Sequence, residues 1–171
     1  MPSKTKQEYE IYFRKTLTEY GSAIARVISS YEMIKALQEE LYQEISIALW
    51  KALAKFDNQS SLKTYVLSIA HKRSISHVAK YAKEPRTSDI ANFELHGRDS
   101  PTEKMQQTQG INNLLRAIAQ LSLMDRQLVT LALEGVSYKE IAVILGISTN
   151  LVGVKLNRAK SKLRTRMVEG E

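Results

Sequence analysis

The segment from Ser137 to Arg166 restricts the fold more than any other stretch of this 171-residue chain. Ser137, followed three residues later by Glu140, forms a capping box, which predicts a helix that begins at the next residue. Gly146 supplies a tight turn, and Ser148 can cap a second helix by bonding its free amides. Apolar residues then recur every three or four positions, which predicts one buried seam along the second helix. The seam comprises Val152, Leu156, Ala159, Leu163 and Met167.

The other face of this second helix is polar and basic. Two helices joined by a glycine turn, the second of them basic, are typical of a DNA-binding helix-turn-helix. The alternative is an ordinary helical hairpin with a solvated basic face. The capping box, the turn, the buried seam and a run of basic residues with no acidic residue between them together favour DNA binding. Asn150 and Asn157 suit adenine edges, and Lys155 or Arg158 suits guanine or phosphate. The predicted DNA contacts are Ser148, Thr149, Asn150, Gly153, Val154, Lys155, Asn157, Arg158, Lys160 and Lys162.

Composition narrows the class of protein. A net charge of +7 favours a polyanionic partner, and three prolines with seven glycines argue against a loop-rich or β-rich chain. With no cysteine and with histidines at 71, 77 and 96 that lack metal-ligand spacing, we expect no disulfide, metal or cofactor. No catalytic set stands out, so we expect no enzyme. We find neither a signal peptide nor an apolar run of bilayer length, which predicts a cytoplasmic protein without membrane insertion.

Apolar periodicity predicts helices through the N-terminal half. The first, with apolar residues from Tyr12 to Ile28 along one side, ends near Ser29 and Ser30, and a second lies between Tyr31 and Phe56. The exposed face of the second helix carries Glu39, Glu40, Gln43 and Glu44. This acidic face is either simply solvated or a docking surface for a basic partner protein.

A basic helix follows a polar loop. The residues Asp57 to Ser61 form the loop by composition, and Ser60 or Ser61 can cap a helix from Leu62 to about Ala82. Bases mixed with aromatic rings on one helix suit single-stranded nucleic acid, because cations meet phosphates and rings stack on bases. The basic and aromatic residues of this helix are Lys63, Tyr65, His71, Lys72, Arg73, His77, Lys80 and Tyr81.

Residues 83–109 show little periodicity, which predicts a flexible linker with a short helix near Asp89 to Leu95. Beyond it we expect helices from Ile111 to Leu121 and from Ser122 to Gly135, which complete a four-helix unit. The predicted fold class is therefore all-α. Two small helical domains, residues 1–82 and 110–171, are joined by the linker.

Three stretches resemble the extracytoplasmic-function sigma factors of bacterial RNA polymerase. ELYQEISIALWKALAKFD, from Glu40 to Asp57, is similar to sigma region 2.2. SSLKTYVLSIAHKRSISHVAK, from Ser60 to Lys80, resembles regions 2.3 and 2.4. The residues from Leu121 to Arg164 resemble region 4, notably in the segment EGVSYKEIA. The chain departs from the family pattern at Lys72 and Ser76, where Asn and Asp are expected, and at Gly153 and Val154, where Lys and Ser are more usual.

The resemblance implies binding to core RNA polymerase and to both promoter elements. The helix from Thr149 to Lys160 would enter the major groove of the minus-thirty-five element, and an anti-sigma factor is a further candidate partner. Glu40, Gln43 and Glu44 match the face that docks on the beta-prime coiled coil, and the beta flap is a second polymerase contact. The residues that match the minus-ten surface are Asp57, Asn58, Gln59, Ser60, Ser61, Lys63, His71 and Lys72.

The competing hypothesis is a polymerase-independent helix-turn-helix regulator, such as a dimeric repressor with an N-terminal effector or dimerisation domain. That class of protein requires only the C-terminal motif. It leaves the acidic face and the basic-aromatic helix unexplained, so we favour the sigma factor.

Overall fold

The computed structural model describes residues 4–82 and 103–170, and the described residues form α-helices without a strand. This confirms the all-α prediction. The helices are α1 (Lys6–Tyr31), α2 (Lys35–Leu53), α3 (Leu62–Tyr81), α4 (Glu103–Ala119), α5 (Leu123–Leu133), α6 (Tyr138–Leu145) and α7 (Thr149–Glu169).

Helices α1, α2 and α3 pack against one another as an N-terminal group. Their shared core includes Ile24, Leu41 and Leu67, each without solvent exposure. Helix α2 is shorter than the predicted span from Tyr31 to Phe56. The reason for its later start is Glu32, whose extended backbone ends α1 and whose carboxylate accepts the amide hydrogens of the next two residues.

Helices α4 to α7 form the C-terminal group, in which α7 contacts α4, α5 and α6. Helix α4 begins at Glu103, so residues 103–109 of the predicted linker are helical. Gly110 inside α4 costs a helix only about 1 kcal/mol relative to Ala, which is too little to end it. The short helix expected near Asp89 to Leu95 lies outside the described residues.

The two groups contact each other, which the sequence did not suggest. Helix α1 packs on α4 and α5, and α3 also contacts α5. The buried side chains of both groups form one apolar cluster. Arg26 of α1 pairs with Glu134, the residue that caps the C-terminal end of α5.

Within residues 4–82 and 103–170, no single helix is both long and apolar enough to cross a bilayer. The bent pair of α6 and α7, taken together, is long and apolar enough to cross a bilayer by length and composition alone.

Candidate nucleic-acid and protein interfaces

Helices α6 and α7 have the geometry predicted for a helix-turn-helix. The Ser137 hydroxyl oxygen accepts the backbone amide hydrogen of Glu140 at 3.2 Å. The Glu140 carboxylate in turn accepts the backbone amide hydrogen of Ser137. Gly146 has a φ of 66°, in the left-handed region that glycine tolerates best. Ser148 then caps α7, and the two helices meet at 96°. Helices of a helix-turn-helix cross at about this angle.

Helix α7 separates a buried face from an exposed face. Val152, Leu156 and Ala159 have no solvent exposure, and Leu163 is buried. Met167, predicted to extend this seam, is instead 37% exposed, because α7 continues past the helices that cover it and every residue from Arg164 to Gly170 is exposed. Most predicted DNA contacts are exposed, namely Ser148, Thr149, Asn150, Val154, Asn157, Arg158, Lys160 and Lys162.

Three predicted contacts of α7 also have neighbours within the protein. The Lys162 ammonium donates to the Asp125 carboxylate at 2.8 Å, so it also ties α7 to α5. Gly153 and Lys155 are half-buried. A Cβ added at Gly153 would meet the Tyr138 ring at 3.8 Å, an ordinary contact, so packing does not require glycine there.

The loop from Asp57 to Ser61 is exposed except for the half-buried Ser60. Asn58 adopts a positive φ of 60°, and Ser61 caps α3 by accepting the Thr64 amide hydrogen at 3.1 Å. Beside the loop, the rings of Phe56 and Tyr65 lie 4.8 Å apart and tilted by 37°. The loop therefore presents polar groups next to an aromatic pair.

A cleft of about 940 Å³ opens between this loop and α6. Its N-terminal wall includes Tyr65, Ser68 and the exposed Lys72. Its opposite wall includes Lys139 and Val143. One aromatic and one basic side chain of α3, Tyr65 and Lys72, thus border one concave surface.

His71, predicted to contact the minus-ten element, is instead a core residue. It has no solvent exposure, and its Nδ1 lies 2.9 Å from the Tyr31 hydroxyl oxygen. Burial lowers the pKa of His71 to about 4, so the ring is neutral at pH 7. The physical reason is helical spacing, since His71 follows the buried Leu67 by four residues.

The acidic face of α2 is only partly exposed to solvent. Glu39 and Gln43 are exposed, whereas Glu40 and Glu44 are half-buried. The Glu40 carboxylate accepts hydrogen bonds from the Tyr81 hydroxyl at 2.8 Å and from the Lys80 ammonium at 3.2 Å. These contacts, led by the Tyr81 bond, hold the pKa of Glu40 below its usual value.

His77 lies beneath this acidic face and is also buried, contrary to its predicted place among exposed bases. Its Nε2 is 3.0 Å from Oε2 of Glu32, and neither side chain is exposed. A ring nitrogen of His77 and carboxylate oxygens of Glu40 and Glu44 all lie within 4.8 Å of one another.

Sequence reasoning missed the residues that join the two helix groups. Arg26 contacts the Glu134 carboxylate through two nitrogens, at 2.5 and 3.0 Å. Lys63, predicted to contact DNA, donates to the Glu134 carbonyl oxygen at 2.6 Å. The partners are 108 and 71 residues apart, and no local pattern connects residues at such separations.

Comparison with known proteins identifies the family. Residues 16–84 match the family model described as Sigma-70 region 2, and residues 111–163 match Sigma-70, region 4. The sigma factor YlaC of Bacillus subtilis is 28% identical over 97% of this chain and 95% of its own. The ECF RNA polymerase sigma-E factor of Escherichia coli is 26% identical over 88% and 84%.

The fold matches a solved sigma factor. RpoE of Bartonella quintana, in complex with the anti-sigma factor NepR, has a TM-score of 0.69 at 22% identity, covering 91% of this chain and 96% of RpoE. Both sigma regions thus occur here in one chain, in the order and with the architecture of such proteins. The chain belongs to the sigma-70 family and is an extracytoplasmic-function sigma factor, which directs RNA polymerase to promoters.

Proposed function

We propose that α7 binds the major groove of the minus-thirty-five element, while the loop from Asp57 to Ser61 and α3 recognise and open the minus-ten element. The observation that carries this proposal is the division of α7 into a seam buried from Val152 to Leu163 and an exposed polar face, because a recognition helix must pack on its support and remain free for base edges.

The exposed face of α7 offers base and phosphate contacts at helical spacing. Asn150, Val154 and Asn157 follow one another at intervals of four and three residues, so they share one side of the helix. Asn pairs well with adenine edges, and Val suits a thymine methyl group. Arg158 and Lys160 flank this row and supply positive charge for the phosphate backbone.

The minus-ten element would be bound at the cleft. An unpaired base must leave the stack to be recognised in a pocket, and an aromatic ring can then stack on it. Tyr65 and Phe56 supply rings at the cleft, and Lys72 supplies a cation beside them. Because His71 is buried, its part in this site is to support α3 from within the core.

Core polymerase would bind at two places. Glu40 and Glu44, with the neutral Gln43 beside them, give a protein of net charge +7 a locally acidic surface, which complements a basic coiled coil such as that of the beta-prime subunit. The C-terminal group would contact the beta flap. RNA synthesis then belongs to the polymerase, and we propose that this chain is a cytoplasmic binding subunit and not an enzyme.

An anti-sigma factor is a further proposed partner, because RpoE of Bartonella quintana was solved in complex with one. Such a partner would restrain the sigma factor by covering the surfaces that bind polymerase or DNA.

Binding to both promoter elements would require the two helix groups to separate. The elements lie about 25 base pairs apart by their names, which is roughly 85 Å of B-form DNA. The contact between Arg26 and Glu134 is incompatible with such a separation. Lys63 would also leave the Glu134 carbonyl oxygen and become available to DNA.

The test is reconstituted transcription. We expect the purified protein to bind core polymerase at low salt and to start run-off transcripts at a defined promoter, with no transcript from either component alone. An Asn150→Ala, Asn157→Ala double variant should retain polymerase binding and lose promoter choice. Promoter binding without polymerase, together with no transcript in its presence, would contradict the proposal and support a repressor.

A further inference from the structure

Two glutamates of the acidic face of α2 and a histidine of α3 lie close together. Glu40 and Glu44 lie one helical turn apart on α2, and His77 faces them from α3. Their potential ligand atoms all lie within 4.8 Å of one another. Ligands about 2.0–2.2 Å from a zinc ion are roughly 3–4 Å apart, so small side-chain rotations would bring these three atoms around one ion.

His77 has the environment of a metal ligand. The side chain is 1% exposed, and its Nδ1 is buried without a hydrogen-bond partner among the described residues. Buried polar atoms are rarely left unpaired, so this nitrogen requires an explanation. The other ring nitrogen, Nε2, lies 3.0 Å from the Glu32 carboxylate. Metal-binding histidines usually donate their second ring hydrogen to a carboxylate in this way, which orients the ring and leaves the first nitrogen to bind.

The charge of the cluster also suits a dication. Glu40 and Glu44 carry two negative charges close together, and Lys80 offsets only one of them through its 3.2 Å contact with Glu40. The Lys80 side chain is 58% exposed, so it can return to solvent at little cost when an ion binds. Tyr81 can keep its hydrogen bond to the Glu40 carboxylate oxygen that does not face the ion.

We infer that Glu40, Glu44 and His77 form a binding site for a divalent transition-metal ion, and that its occupation weakens docking on core polymerase. One imidazole and two carboxylates favour zinc or cobalt over magnesium and calcium, which prefer oxygen ligands alone. The second half of the inference rests on the proposed function, since Glu40 and Glu44 belong to the proposed docking surface. A bound dication would neutralise the charge that this surface presents to a basic partner.

The first experiment measures metal binding by the full chain without polymerase. Chelator-treated protein is titrated with Zn²⁺ in a calorimeter and with Co²⁺ in a spectrophotometer, where the d–d bands report ligand geometry. We expect one saturable site. Glu44→Gln and His77→Gln should each lower the affinity at least about 10-fold, as losses at metal sites commonly do.

Matched variants control for other binding. Glu39→Gln removes an exposed carboxylate next to Glu40, and His96→Gln removes a histidine elsewhere in the chain. Both should bind Zn²⁺ like the wild type, and circular dichroism should show that all variants fold. Because His77 is buried, the half-exposed Glu44 decides the result if His77→Gln unfolds. No saturable binding, or equal affinity in wild type and Glu44→Gln, would overturn the metal site.

The second experiment measures polymerase affinity with and without saturating Zn²⁺. We expect zinc to weaken binding of the wild type at least about 5-fold and to leave Glu44→Gln unchanged, which also controls for effects of zinc on polymerase. Equal wild-type affinity with and without zinc would overturn the docking part. If metal-free protein binds no polymerase at all, the proposed function fails, while the first experiment still decides the metal site.

Discussion

Arg26 and Glu134 form a bidentate ion pair that joins α1 to the end of α5. Nε and one terminal nitrogen of the guanidinium donate to the two carboxylate oxygens at 2.5 and 3.0 Å. The Glu134 side chain is 6% exposed and that of Arg26 is 56% exposed. The hydrogen bond to Glu134 raises the pKa of Arg26. Paired geometry of this kind is among the stronger charge contacts in proteins, so the pair favours the closed arrangement of the two helix groups.

The first prediction is that Glu134→Gln opens the protein. The substitution keeps the shape of the side chain and removes the charge that holds Arg26, which should shift the equilibrium towards separation by about 1–2 kcal/mol, or roughly 5–30-fold. Small-angle scattering should show a larger radius of gyration. Glu10→Gln is the control, because it breaks an exposed pair with Arg14 within α1 and should leave the radius unchanged. An unchanged radius for Glu134→Gln would show that the remaining contacts, which are the shared apolar cluster and the bond from Lys63 to the Glu134 carbonyl oxygen, keep the groups together without the ion pair.

A second prediction separates base recognition from phosphate binding on α7. Asn157→Ala should cost about 1–3 kcal/mol at one base pair and relax the preference there. Lys160→Ala should weaken binding to all sequences alike and make the salt slope shallower by about one unit. Both residues are exposed, so the fold should be unaffected. Holoenzyme binding to a promoter library at several salt concentrations measures both effects, and the opposite assignment would mean that α7 lies differently in the groove.

Lys160 is a better choice than Lys162 for testing phosphate binding. The Lys162 ammonium already binds Asp125 at 2.8 Å, so its removal would change the contact between α7 and α5 as well as any contact with DNA.

The third prediction concerns polymerase docking. Gln43 is exposed on the acidic face, and Gln43→Lys should slow association with core polymerase because it adds a like charge opposite a basic partner. The same change at the exposed Gln7 of α1 should have no effect. Both variants should retain stability within about 0.5 kcal/mol. Equal association rates of the two variants, measured by surface plasmon resonance, would place docking elsewhere.

The fourth prediction follows from the lowered pKa of His71. The folded protein keeps this ring neutral down to a pKa of about 4, whereas the unfolded chain takes up a proton near pH 6.5. The contribution of the neutral His71 ring to the free energy of unfolding is therefore fully present at pH values above 6.5, and it is lost as the pH falls towards 4. The loss between pH 7 and pH 5 should be about 2 kcal/mol.

Urea unfolding at both pH values measures this loss. His71→Gln keeps a polar partner for Tyr31 without a titrating ring, and it should lose about 2 kcal/mol less than the wild type over the same interval. Equal losses would mean that other groups cause the pH dependence.

The fifth prediction compares two glycines. Gly146→Ala places a side chain at a φ of 66° and should destabilise the protein by about 1–2 kcal/mol. Gly21→Ala, in the middle of α1 with open space around it, should stabilise by about 0.5–1 kcal/mol. Thermal unfolding should therefore move in opposite directions. A neutral Gly146→Ala would show that the turn can relax into another conformation.

Local patterns were predictable from the sequence because their causes lie within one helical turn. The capping box at Ser137, the left-handed Gly146 and the cap at Ser148 each depend on residues at most four positions away. The buried seam of α7 follows from the same short-range periodicity, and Met167 fails only because covering it depends on where other helices end.

Long-range features were not predictable in this way. Histidine at positions 71 and 77 suggested a basic surface, but burial depends on which side of α3 meets α1 and α2. The cluster of Glu40, Glu44 and His77 also escapes a search for metal-ligand spacing, because its members come from two helices. The Arg26 and Glu134 pair spans 108 residues, and only the tertiary fold brings it together.

The buried seam of α7 shares no residue with the outer row of Asn150, Val154 and Asn157, and this separation bears on how new regulons arise. The side chains of Val152, Leu156 and Ala159 pack in the core and hold the helix in place, whereas those of Asn150 and Asn157 are exposed and do not contribute to this packing. Mutations can therefore accumulate in the outer row without eroding the fold. A lineage, or a designer of orthogonal gene circuits, could exchange that row alone and obtain a sigma factor for another set of genes on the same scaffold.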